Sequence, residues 1–65
     1  SYILFDKETV DQYLRIVLRD EQITGSIIIG NKVLATAIKH AMEKGTHFYG
    51  ECLHTLDALI EKLLE

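Results

Sequence analysis

An all-α fold, a small three-helix bundle that carries an apolar N-terminal arm and assembles as an oligomer, is the class this sequence predicts from three observations. The last third repeats apolar residues three and four apart, at Tyr49, Cys52, Leu53, Leu56, Leu59, Ile60, Leu63 and Leu64. A second stripe near the start, Val10, Tyr13, Leu14, Val17 and Leu18, has the same spacing. The third observation is supply: 48% of 65 residues are hydrophobic, none is proline, and a lone cysteine leaves no internal disulfide to staple so small a core. One domain, residues 1–65, is all this length allows.

Taken in order, Tyr2, Ile3, Leu4 and Phe5 are too apolar to stand in water. They are expected to lie over the helices as an extended arm, or to add a short strand to another chain. Asp6 then serves as a helix N-cap, with Phe5 and Val10 as the hydrophobic staple around it. The first helix is expected over about Lys7 to Gln22. Ile16 lies off its stripe, which points to a second contact.

The middle of the chain has two readings. In the helical one, Thr24 or Ser26 caps a helix over about Ile27 to Lys44 that Gly45 stops, with Val33, Leu34, Ala37, Ile38, Ala41 and Met42 as its apolar face. In the other, an α+β fold, residues 22–36 make a short hairpin: a β-branched strand from Gln22 to Ile29, a turn at Gly30 and Asn31, and a return strand from Lys32. The run of good helix formers from Ala35 to Lys44 favours helix. A third helix follows over about His47 to Leu64.

Three such helices leave more apolar surface than one small bundle hides, and the surplus is assigned to an interface at Ile16, Ile27, Ile28, Phe48 and Tyr49. The partners expected there are the chain itself, as a homodimer or higher oligomer, and another protein. The net charge of −3, spread over ten acidic and seven basic residues without an arginine-rich helix, argues against nucleic acid. With no apolar run near the roughly 20 residues of a membrane span, no membrane is expected and the location is cytoplasmic.

Chemistry is sparse. Arg15, Arg19, Lys32 and Lys39, with Tyr13 as a stacking surface, are candidates to hold a small anionic, nucleotide-like ligand at a subunit junction. His47, Glu51 and His54, four and three apart, share one face of the expected third helix and are weak candidates for a metal; a solvated polar stripe explains them better. Nothing resembles a glycine-rich phosphate loop or a nucleophile elbow, and Cys52 and His54 point apart on a helix. The sequence therefore predicts no enzyme and no cofactor. It predicts a regulatory or inhibitory interaction module that works as a homo-oligomer through an apolar helical surface, with an anionic-ligand binder or a metal-stapled module as alternatives.

Overall fold

The computed structural model describes residues 2–65 and is α+β, which corrects the all-α helical bundle. Strands β1 (Tyr2–Glu8), β2 (Tyr13–Arg19) and β3 (Gln22–Ile29) form an antiparallel sheet in the order β1-β2-β3. Helix α1 (Lys32–Lys44) follows, then a 3₁₀ turn (Gly50–Leu53) and helix α2 (Leu56–Leu63). The helices close over one face of the sheet, giving two layers around one core.

The segment expected as the first helix is two strands, and the reason lies in β2. Along Tyr13–Arg19 every second residue, Leu14, Ile16 and Leu18, is buried, while those between are at least partly exposed. That is the two-residue period of a sheet with one covered face. The residue that fell off the helical stripe, Ile16, is wholly buried at the centre. Val10, counted into that stripe, lies fully exposed in the β1–β2 loop. Residues 2–5 belong to β1, not to a separate arm, and pair within the chain: Ile3 opposite Leu18 and Phe5 opposite Ile16 bring two more apolar side chains to the covered face.

A two-residue hairpin joins β2 to β3, with Arg19 opposite Gln22. Asp20 and Glu21 both take positive φ, 52° and 71°, as a type I′ turn requires. Asparagine and glycine are the usual signature there, so Arg-Asp-Glu-Gln does not read as a turn. Beyond it the register shifts opposite Val17 and Leu18, leaving Thr24 outside the residue-to-residue pairing, which is a bulge.

The β-branched reading of Gln22 to Ile29 is right and its return strand is wrong. Gly30 turns the chain at φ 89°, and Asn31 caps α1 by accepting a hydrogen bond from the Leu34 amide at 3.0 Å. A Cβ on Gly30 would lie 2.5 Å from the Asp11 carbonyl oxygen, so only glycine fits where the two loops meet. The helix expected from Ile27 thus begins five residues later. It ends as expected at Gly45, whose left-handed backbone lets the Thr46 amide reach the Ala41 carbonyl at 3.0 Å.

The third expected helix is also divided. His47 bridges to Gln22, and the Phe48 amide donates to the Glu21 carbonyl at 2.8 Å, tying this segment to the start of β3. Only after the 3₁₀ turn does Thr55 cap α2, its hydroxyl accepting from the Ala58 amide at 3.2 Å. The core then joins Leu14, Ile16 and Leu18 of β2 and Ile23 of β3 to Leu34 and Ile38 of α1, Phe48 of the tie, and Leu59 of α2.

Two outcomes follow. Ile16→Ala, which opens a cavity beneath both helices, should cost about 2–5 kcal/mol, read as a lower urea midpoint; a loss within about 0.5 kcal/mol would place Ile16 outside the core. Left-handed strain on Glu21, about 1–2 kcal/mol, exceeds the roughly 0.5–1 kcal/mol of unfolded-chain entropy that glycine adds. Glu21→Gly should therefore raise the melting midpoint, and a lower midpoint would contradict the turn geometry.

Candidate functional site

The covered face of the sheet uses the even residues of β2, so its odd residues and their cross-strand partners face away from both helices. Leu4 pairs with Val17, Tyr2 with Arg19, and Arg15 with both Asp6 and Ile27, while Tyr13 lies opposite Glu8 and Ile29. These pairs form one continuous face that nothing among the described residues covers. Its apolar members are large and open: Tyr2, Leu4, Ile27 and Ile29 are between 46% and 60% exposed. An antiparallel sheet can present a solvated second face, but the residues there are then ordinarily polar. Here leucine, valine, isoleucine and tyrosine stand among the charged residues.

Both arginines on this face are tied down by neighbours. Arg15 donates from Nε at 3.2 Å and from a terminal nitrogen at 2.6 Å to Asp6 Oδ2. That hydrogen bond, more than any other influence, lifts the Arg15 pKa above its ordinary value. The Arg19 guanidinium lies 5.8 Å from the Tyr2 ring centroid, in cation–π range. Each cation therefore sits beside a partner on the same sheet, leaving apolar surface between the pairs.

The interface expected from sequence is divided by this geometry. Ile16 and Phe48 are core residues with 0% and 2% exposure, so neither can meet another chain. The apolar helical surface is corrected with them, because the large open face belongs to the sheet. Ile27 stands on that face, Ile28 packs half-buried against the core, and Tyr49 is exposed beyond α1, its ring stacked on His47 at 6.3 Å. Leu4, Val17 and Ile29 are the face residues that helical reasoning missed. The two-residue spacing of Leu14, Ile16 and Leu18 was the signal for Val17; the unbroken apolar runs Tyr2 to Phe5 and Ile27 to Ile29 do not alternate and gave none for Leu4 or Ile29.

The anionic-ligand candidates do not converge. Tyr13, Arg15 and Arg19 are on the open sheet face, whereas Lys32 and Lys39 project from α1 in the opposite layer. His47, Glu51 and His54 no longer share a helix: His47 lies in the bridge to β3, Glu51 in the 3₁₀ turn and His54 at its end. Among the described residues no three histidine, cysteine, aspartate or glutamate side chains are placed to hold a metal ion. A different cation-lined cleft, of about 460 Å³, opens between α1 and the end of α2, with His40, Lys44 and Lys62 at its rim and Ala37, Ala41 and Phe48 at its base. Lys62 is already engaged there by Glu65 at 3.0 Å. No helix among the described residues is long and apolar enough to cross a membrane.

No curated protein and no solved structure shows significant similarity to the chain. One family does match, described as the rubredoxin NAD+ reductase C-terminal domain, over residues 1–46. The match takes in all three strands and the whole of α1, the elements that build the open face and its support. The chain belongs to the rubredoxin NAD+ reductase C-terminal domain family.

Proposed function

We propose that the domain is a non-enzymatic interaction module that seats its open sheet face on the body of an NAD+-linked reductase acting on rubredoxin. The observation that carries this reading is the face itself: Leu4 on β1 beside Val17 on the central strand, Tyr2, Ile27 and Ile29 around them, and Arg15 and Arg19 each held by a partner on the same sheet. An apolar surface whose two arginines already have partners, Asp6 and the Tyr2 ring, suits a stable contact with a folded partner better than a contact with solvent. The family description supplies the partner, since it names a C-terminal domain of a reductase, and a body carrying the redox chemistry is implied by that name.

The domain's own residues support a role without catalysis. It has no glycine-rich phosphate loop, and its cations are paired or dispersed instead of converging on a phosphate. In this reading its influence on the reductase is regulatory: it covers a surface and holds it in one arrangement. The half-buried free thiol of Cys52, in a chain without a disulfide partner, fits a reducing, cytoplasmic setting.

Supplying the domain in trans to a reductase body lacking it, and measuring association by titration calorimetry, tests the reading. Binding is expected, weakened at least about tenfold by Leu4→Asp, since that places an unpaired charge within the contact. The same substitution at an exposed position should leave domain stability within about 0.5 kcal/mol. Undiminished binding by Leu4→Asp, or no binding by the unaltered domain, would overturn it.

A further inference from the structure

We propose that the free edge of β3 pairs antiparallel with β3 of a second copy of this chain, about a two-fold axis through Ile27. β3 is an edge strand, and among the described residues its one bridge on the open side is Gln22 to His47 at its first residue. Edge strands are ordinarily guarded against further pairing by charge, proline or distortion. The opposite edge, β1, follows that rule with Asp6, Lys7 and Glu8. β3 reads QITGSIII and has no charged residue in eight.

The guards that β3 does have are confined to its first half. The His47 tie covers Gln22, and the bulge at Thr24 twists the strand next to it. Gly25 to Ile29 remains regular and open, five residues that keep strict register with Val17 to Tyr13 on the inner side. A second copy can meet this stretch without bringing like charges together, which suits a self-complementary, isologous contact.

Side-chain shape selects the register. With Ile27 opposite Ile27 of the second copy, Gly25 of each chain stands opposite Ile29 of the other, and all of these lie on the open face. The space where a Cβ on Gly25 would project has no atom within 4 Å, and Ile29 is 59% exposed. Each copy thus offers an isoleucine to the other's glycine gap, twice, on either side of an Ile27 pair that is itself 48% exposed. The product is a continuous six-stranded sheet whose two open faces lie side by side. This inference uses the edge at β3 and stands independently of docking to a reductase body, which is tested at Leu4 on β1.

Sedimentation of the 65-residue chain tests the inference directly. At millimolar concentration the expected mass is twice 7.4 kDa. Ile27→Lys, which puts two ammonium groups at the axis, should return the monomer with its circular dichroism unchanged, whereas Leu4→Asp should leave the dimer intact. With Cys52 replaced by Ala and diamide added as the oxidant, Ile27→Cys should give a disulfide-linked dimer across the axis, and Leu4→Cys should not. A monomer at millimolar concentration would overturn the inference. So would a dimer that Leu4→Asp dissociates and Ile27→Cys fails to cross-link, because the copies would then be stacked face on face.

Discussion

Burial of the alternate side chains Leu14, Ile16 and Leu18 on β2 is the constraint on which the remaining structure depends. β2 is the central strand, so each of its residues is held from both sides, and fixing three of them toward the helices fixes their neighbours the other way. Ile3 and Phe5 of β1 and Ile23 and Ile28 of β3 join the same layer through that register. A shift of one residue would expose Ile16 and bury Arg15 with Val17. The open face is therefore a consequence of how the core is made: whatever occupies the odd positions of β2 must be displayed.

The two helices and the Phe48 tie complete the arrangement by covering only the even side. α1 supplies Leu34 and Ile38, and α2 supplies Leu59 as a wholly buried side chain. Their ends are well defined, by Asn31 and Gly45 for α1 and by Thr55 for α2. Residues 47–65 lie outside the family match, yet Phe48 and Leu59 belong to the core it encloses. The family portion, as it stands in this chain, is therefore sealed by the segment that follows it.

Sequence reasoning located some of this well and some of it poorly, for physical reasons. The second half of α1 was legible because Ala35 to Lys44 combines strong helix propensity with a glycine stop. β2 was not, because Tyr13, Leu14, Val17 and Leu18 match helical spacing while Leu14, Ile16 and Leu18 match strand spacing. Over seven residues the two periods overlap, and the unmatched Ile16 is what separates them. The hairpin between β2 and β3 was concealed by a turn built from Asp20 and Glu21 in place of glycine. Of the residues assigned to an interface, Ile27 lies on the exposed sheet face, whereas Ile16 and Phe48 are buried in the core, where a helical chain would have left them outside. An excess of apolar surface was readable from composition; the sheet face that displays it required knowing where the strands lie.

Residue-resolved amide hydrogen exchange on the 65-residue chain tests the role of β2 most directly, since the central strand of the core should open only with the whole domain. The slowest-exchanging amides are expected within Tyr13–Arg19, with the free edge of β3 from Gly25 to Ile29 exchanging faster. Fast, open-chain exchange across Tyr13–Arg19, with the slowest amides confined to α1 and α2, would contradict a core organised on that strand.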